Sequence, residues 1–93
     1  MLLSEWLSHG AQNAVSAAEI SRLTGMSQRE IRKAAERERL SGTVILSDES
    51  GYYLPSEDTD MAQMEIVSWI SRRIATAGAI MKTVESARKA INY

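Results

Sequence analysis

The chain has 93 residues, of which 44% are hydrophobic and 25% are charged, and its formal net charge is −1. This size predicts one small domain with a modest core. The lack of cysteine excludes a disulfide framework and a thiolate zinc site, and no apolar run is long enough for a membrane span. Residues 1–3 lack the basic flank of a signal peptide, so we expect a cytoplasmic protein.

The first 15 residues predict a short helix and a turn. The helix is expected from Leu2 to about Ser8, with Gly10 as its stop. Three of its side chains are expected to face inward: Leu3, Trp6 and Leu7. A turn at 11–13 is followed by a short extended stretch that can pair with a later hairpin, and Val15 is expected to begin the second element.

Two serine-led capping boxes follow in tandem and predict two helices. The box at 16–19 begins a helix whose apolar stripe has helical spacing: Ala17, Ile20, Leu23 and Thr24. Gly25 can supply the left-handed residue that ends this helix. The box at 27–30 begins a second helix, which is expected to stop at 41–42.

The spacing within this helix pair is that of a helix-turn-helix. Such a motif needs a small residue where the helices cross, a residue free to adopt positive φ in the turn, and an apolar anchor in the second helix. Ser21, Gly25 and Ile31 occupy these places in order. Met26 and Ala34 add apolar support, so the pattern favours a DNA-reading pair over two ordinary consecutive helices.

A β-hairpin is predicted directly after the helix pair. Residues 43–47 are rich in β-branched and apolar side chains, residues 48–51 have turn chemistry, and residues 52–54 form a second short strand before Pro55. Tyr52 and Tyr53 alternate faces of this strand. We expect Tyr52 to fill the core and Tyr53 to offer its hydroxyl to a phosphate.

Residues 1–55 resemble winged-helix domains of the biotin-operon-repressor type and small phage-encoded proteins built on them. The matching residues are Ile20, Leu23, Gly25, Ser27, Arg32, Gly42, Ile45, Ser47, Gly51, Tyr52 and Leu54. The resemblance implies a mainly α winged helix-turn-helix with a small β-hairpin wing, followed here by a long C-terminal helix. It is specific for that fold and says little about what the fold binds.

A long terminal helix is predicted after an acidic linker at 56–60. Within the terminal segment 61–93, the helix should run from Met61 to about Ile91, with Thr59 or Asp60 as its cap. Apolar residues at alternating spacings of three and four define a coiled-coil seam: Val67, Ile70, Ile74, Ala77, Met81 and Val84. Arg88 interrupts this seam and Ile91 resumes it.

A second apolar edge widens the stripe of this helix. It consists of Ile66, Trp69, Ile80 and Ala87. Because one helix with two apolar edges needs two partners, we expect one edge to pack on the domain and the other on a second copy, giving a homodimer through residues 61–91. The alternative is a monomer whose helix bends back at 77–79.

The charges are segregated along the chain, although a net charge of −1 argues mildly against nucleic acid. Residues 27–40 and 61–93 are each net basic. The segment 41–60 between them has no base and carries an acidic band: Asp48, Glu49, Glu57, Asp58 and Asp60. Asp48 and Glu49, at the tip of the hairpin, would be repelled by a phosphate backbone.

The second helix of the pair supplies most candidate DNA contacts. Its N-terminal part is the part that meets base edges in a helix-turn-helix. The candidates are Ser27, Gln28, Arg29, Arg32, Lys33 and Arg37, together with Tyr53 of the hairpin. Arginine suits guanine, glutamine suits adenine, and lysine serves phosphate as readily as a base. The alternative interpretation of these charges is a solvated helix face on which Glu30, Glu36 and Arg37 make ordinary side-chain pairs.

The remaining polar residues give little support for catalysis or metal binding. Glu38 falls on the apolar side of its helix, so it needs a partner such as Arg22 or a place beyond the packed region. His9 is the only histidine and is expected at a helix cap or at the surface. The acidic linker lacks the glycine and distal glutamate of a calcium loop. We therefore expect no enzyme, no metal and no cofactor.

Two functions remain in competition. The first is sequence-specific binding of double-stranded DNA by a homodimer, as a small phage or prophage transcriptional regulator. The second is a phage-encoded protein-interaction module on the same scaffold, whose acidic band engages the basic surface of a replication protein, a polymerase or a host defence protein. Binding that depends on Arg29, Arg32 and Lys33 favours the first, and binding that depends on the acidic band favours the second.

Overall fold

Three α-helices and a two-stranded antiparallel hairpin make up the residues that the computed structural model describes, 1–91. The elements are α1 (Ala17–Thr24), α2 (Gln28–Leu40), β1 (Leu46–Asp48), β2 (Gly51–Tyr53) and α3 (Thr59–Ile91). Two short 3₁₀ helices, Leu3–Trp6 and Ala11–Asn13, precede them. The predicted mainly helical class with a hairpin and a long C-terminal helix is confirmed. The end of the predicted terminal segment, 92–93, lies outside the described residues.

The predicted N-terminal helix is wrong in type and length. Only the 3₁₀ helix Leu3–Trp6 forms, and Trp6 stays 37% exposed, whereas Leu3 is buried. The chain leaves the helix because it pairs with the end of the hairpin. The Leu54 N–H donates to the Ser8 carbonyl, and the Gly10 N–H donates to the Leu54 carbonyl. An extended segment at these residues excludes a helix through Ser8.

The predicted pairing of an extended segment with the hairpin occurs, but it includes Val15, which was expected to begin the next element. Val15 and Tyr52 exchange two backbone hydrogen bonds, each of 2.9 Å. Val15 therefore pairs antiparallel with β2 on the side away from β1. This pairing joins the segment before α1 to the hairpin after α2.

The predicted starts and ends of α1 and α2 are confirmed, with one correction. Ser16 and Ser27 each accept a hydrogen bond from the backbone N–H three residues on, and Gly25 ends α1 at φ +78°. The capping box is reciprocal only at Ser27. At the first box, the Glu19 carboxylate binds Arg22 instead of returning to the cap.

The core lies between α1, α2 and the segment leading into the hairpin. Its buried members are Leu3, Ile20, Ile31, Ala34, Ala35 and Ile45. The inward face of α2 is thus the one that its periodicity predicts. Leu23 departs from the predicted stripe of α1, because it is 46% exposed.

The hairpin strands are shifted from their predicted positions, and Tyr53 is the fully buried tyrosine, while Tyr52 packs against the core from a half-buried position. Leu46 lies opposite Tyr53, and Asp48 lies opposite Gly51. Tyr53 shares the buried side of the hairpin with Leu46 and is only 3% exposed, whereas Tyr52 is half-buried. The expectation that Tyr53 offers its hydroxyl to a phosphate is therefore wrong.

Helix α3 is continuous over its 33 residues. Its length of about 50 Å agrees with the longest dimension of the molecule, 52 Å. The bend at 77–79 required by a bent-back monomer is absent from the described chain. Asp58 caps the helix by accepting the Met61 N–H at 3.0 Å, one residue before the predicted caps. None of the described helices has an apolar stretch of membrane-spanning length.

Candidate nucleic-acid interface

The outward side of α2 is a cationic face, which we define as Arg29, Arg32, Lys33 and Arg37. All four side chains are exposed, as is Gln28 beside them. The opposite side of the helix is buried, with Ile31 fully covered. The 3.6-residue period that buries one side therefore turns the cations toward solvent.

The cationic face differs from four other arginines of the described chain in its lack of partners. Among residues 1–91, no member of the cationic face makes a side-chain hydrogen bond or an ion pair, whereas other arginines do: Arg22 with Glu19, Arg39 and Arg73 with Glu36, and Arg72 with the Ser47 carbonyl. Of the side-chain pairs expected for a solvated helix face, Glu36 forms one with Arg39, whereas Arg37 makes none within residues 1–91. The exposure of the cationic face agrees with both a solvated helix face and a DNA-binding one.

The N-terminus of α2 is fixed by its own cap. The Ser27 hydroxyl oxygen accepts the Glu30 N–H at 3.1 Å, and the Glu30 carboxylate accepts the Ser27 N–H at 3.4 Å. The Ser27 hydroxyl proton is not used by this cap, so it can still be donated. The exposed end of α2 thus presents a hydroxyl donor next to the positive end of the helix dipole.

Glu38 anchors the buried side of α2. It is 4% exposed, and its carboxylate accepts the Leu3 N–H at 2.6 Å and the Ser4 N–H at 3.1 Å. The partner that the sequence left open is therefore the first turn of the N-terminal 3₁₀ helix, while Arg22 pairs with Glu19 instead. A buried carboxylate holding two N–H groups fixes the N-terminal segment against α2.

Glu65 has the same role on α3 and gave no signal in the sequence. It is the buried residue of that helix, and its carboxylate accepts the Ala11 N–H and the Ser56 N–H, each at 2.8 Å. Ala11 is distant from Glu65 in the chain, and Ser56 lies across the turn before α3. No local sequence motif therefore predicts these two hydrogen bonds. The contact holds the first turns of α3 against the N-terminal segment.

A joint between α2 and α3 forms around Trp69. The guanidinium carbons of Arg39 and Arg73 lie 4.8 and 4.9 Å from the centre of its ring. Glu36 on α2 accepts hydrogen bonds from both arginines, and Arg39 also donates to the Ile45 carbonyl at 2.7 Å. These cation–π contacts and ion pairs hold α3 in its orientation against α2.

The ion pairs of this joint make it sensitive to acid. The hydrogen bond from Arg73, helped by Arg39, holds the pKa of the Glu36 carboxyl below its ordinary value of 4.5. A carboxyl with a lowered folded-state pKa stabilises the fold fully above its unfolded value and loses that contribution as the pH falls through the folded value. Because the Glu36 side chain is 50% exposed, we expect its contribution to stay under about 1 kcal/mol.

The acid response can be measured by the fluorescence of Trp69. In a Trp6→Phe background, where Trp69 is the one remaining tryptophan, we expect its emission to change as the pH falls below 4.5. The Glu36→Gln variant should lose most of this change, because glutamine does not titrate. An acid response of equal size in both proteins would contradict the role of Glu36.

Two members of the acidic band have structural roles. The Asp48 carboxylate accepts the Ser50 N–H at 2.8 Å in the hairpin turn, and Asp58 caps α3. Glu49, Glu57 and Asp60 are exposed and make no side-chain hydrogen bond or ion pair within residues 1–91.

The pKa of the Tyr53 hydroxyl is raised above its ordinary value. Burial of the side chain is the main cause, and the negative charge of the nearby Asp48 is the second.

The seam of α3 is open to solvent in this chain. Its six predicted interface residues are all exposed: Val67, Ile70, Ile74, Ala77, Met81 and Val84. The second apolar edge is divided, since Ile66 and Trp69 are half-buried against the domain while Ile80 and Ala87 are exposed. Packing on the domain therefore accounts for the first part of α3 only.

The comparisons with known proteins give no relative. No protein-family model matches the chain, and neither a curated protein nor a solved structure is significantly similar to it. Function has to be inferred from the surface of the molecule itself.

Proposed function

We propose that residues 1–55 form a winged helix-turn-helix and that the chain is a homodimeric, sequence-specific DNA-binding protein, a small transcriptional regulator of phage or prophage origin. The observation that carries this proposal is the cationic face of α2, which is exposed and unpaired within residues 1–91. Cations held on a capped, well-anchored helix suit the major groove, which accommodates one α-helix.

The residues of α2 divide between reading bases and holding phosphates. Arg29 and Arg32 can each make a bidentate hydrogen-bonded contact with guanine, and Gln28 can make one with adenine. Lys33 and Arg37 serve the phosphate backbone, and Ser27 at the helix N-terminus can donate to a phosphate oxygen.

In this proposal the hairpin does not contact the DNA, unlike a wing with a basic tip. Its turn carries Asp48 and Glu49, which a phosphate backbone repels. The hairpin therefore stands away from the duplex, and α2 supplies the recognition. The buried Tyr53 fits this arrangement, because it supports the hairpin from inside and takes no part in binding.

The exposed seam of α3 supports the homodimer. A second copy related by a two-fold axis sets two α2 helices on one side of the duplex, about 34 Å apart, so that they read an inverted repeat. Dimerisation also covers apolar side chains that a monomer leaves in water, such as Ile74 at 67% exposure.

Single substitutions on α2 test the division of roles. We expect Arg32→Ala to cost on the order of 1–3 kcal/mol of binding free energy and to relax one base position, because it removes a base contact. Lys33→Ala should mainly flatten the salt dependence, because it removes a phosphate contact. The measurement is a fluorescence polarisation titration with duplexes flanking the protein's own gene, at two salt concentrations. Equal and salt-insensitive effects of both variants would contradict the assignment.

A second candidate function rests on the three exposed carboxylates without a structural role, Glu49, Glu57 and Asp60. They lie on the hairpin turn and at the start of α3, where they can engage a basic surface of a replication protein, a polymerase or a host defence protein. Asp48 and Asp58 have local roles that explain their presence, so the case for this function is smaller than the whole acidic band indicates.

A further inference from the structure

The second half of α3 has no contact that explains its apolar seam. Every residue from 71 to 91 is exposed, although Ile74, Met81 and Val84 recur at coiled-coil spacing. Building on the proposed homodimer, we infer that a second copy of the chain covers this seam in antiparallel orientation, with the two helices centred on Ala79.

With this centre, every seam residue of one helix lies at the same level as a seam position of the other helix. When two antiparallel helices are centred on Ala79, the residues that share a level are Val67 with Ile91, Ile70 with Arg88, Ile74 with Val84, and Ala77 with Met81. Each pair then occurs twice, once on either side of the centre. The six seam residues, with Arg88 and Ile91 beyond them, are all matched and none overhangs.

Arg88 distinguishes the two possible orientations. In a parallel pair it would meet Arg88 of the second copy inside the seam, where two like charges repel. In the antiparallel pair it meets Ile70, near the end of the interface. Its aliphatic stem can cover Ile70 while the guanidinium stays in water.

Residues beside the seam favour the same orientation. Ile80 is 57% exposed and flanks the seam. In the antiparallel pair it lies next to Ile80 of the second copy, whereas in a parallel pair it would lie against Glu85. On the other flank Gly78 meets Gly78 of the second copy, and because glycine has no side chain, it allows close approach there.

A groove on the domain also fits an antiparallel partner. It has a volume of about 380 Å³, lies between α3 and the segment before β1, and is lined by apolar groups that include Val44, Ile66, Trp69 and Ile70. It adjoins the seam through Ile70. The last described turn of an antiparallel partner, residues 88–91, runs past this groove, whereas in a parallel pair that turn would be about 30 Å away.

The antiparallel pair gives the two domains a spacing suited to DNA. The α2–α3 joint lies at Trp69, ten residues from the centre, so the two joints are about 30 Å apart along the helices. That distance is comparable with the separation of about 34 Å between half-sites one turn apart. A parallel pair would place both joints at one level.

Cysteine pairs test the orientation, and the natural chain has no cysteine to interfere. We expect a short bismaleimide to crosslink a mixture of Ile70→Cys and Arg88→Cys proteins into a dimer, and to crosslink either protein alone much less. Equal positions are about 27 Å apart in the antiparallel pair and adjacent in a parallel one. The dimer is detected on a denaturing gel.

A second pair retains Arg88 and guards against an effect of its removal. Ile74→Cys and Val84→Cys should likewise crosslink when mixed, since they share a level in the antiparallel pair. Efficient crosslinking of each variant alone, or a monomer mass by sedimentation of the natural chain at micromolar concentration, would overturn the inference.

These experiments contain no DNA, so their outcome is independent of the DNA-binding proposal. A mixed crosslink in a protein without affinity for DNA would support the antiparallel pair and reject the proposed function. A parallel crosslink in a protein that binds an inverted repeat would do the reverse.

Discussion

Replacing Gly51 by alanine is expected to cost about 3–4 kcal/mol of unfolding free energy, a large share of the stability of a small domain. Gly51 has a φ of +138°, which L side chains rarely adopt. An added Cβ would also overlap the carbonyl group of Val15. The backbone would have to move apart there, and the two hydrogen bonds between Val15 and Tyr52 would be strained or lost.

Gly25 provides the matched control for this substitution. It also has a positive φ, +78°, but a Cβ built there meets no atom within 4 Å. Gly25→Ala should therefore cost only the backbone strain, about 1–2 kcal/mol. Urea denaturation followed by circular dichroism measures both variants. Equal losses would show that the approach of Val15 to Gly51 contributes nothing to stability.

The elements predicted well are those whose signals are local. Ser16, Ser27 and Gly25 set the limits of α1 and α2, because a cap depends only on residues within one turn of it. The buried side of α2 follows from helical periodicity for the same reason. The exposed cationic face was predictable as the opposite side of that helix.

The features that sequence reasoning missed depend on long-range partners. Glu38 and Glu65 accept N–H groups of the N-terminal segment, 35 and 54 residues away. Residues 8–10 pair with Leu54, and this pairing shortens the first helix. No residue near Leu2 predicts the pairing. The burial of Tyr53 follows from strand register, which alternation alone does not fix.

The joint at Trp69 combines both kinds of information. Trp69 was predictable as part of an apolar edge, and Glu36 as a member of local charge pairs. That Arg39 and Arg73 enclose the ring depends on how α3 crosses α2, which neither pattern encodes. The joint packs the first part of α3 against α2, so pairing of two α3 helices would determine the spacing of two cationic faces.

Reversing two charges on α2 should abolish measurable specific binding. In the Arg32→Glu, Lys33→Glu variant, two attractions become repulsions, and we expect a loss of at least about 100-fold in DNA affinity at low salt. Both side chains are exposed and unpaired within residues 1–91, so the fold should be unaffected. Polarisation titration gives the affinity, and circular dichroism verifies the helix content.

The matched control is Lys82→Glu, Lys89→Glu, which changes the net charge equally on exposed positions of α3 outside the seam. If net charge alone governed binding, both variants would lose affinity alike, since a long-range field depends on total charge. A cationic face that enters the groove predicts a much larger loss for the α2 variant. Glu49→Gln, Glu57→Gln should leave DNA affinity unchanged or raise it. Loss of binding to a protein partner in that variant, with the α2 reversal harmless, would instead favour the interaction module.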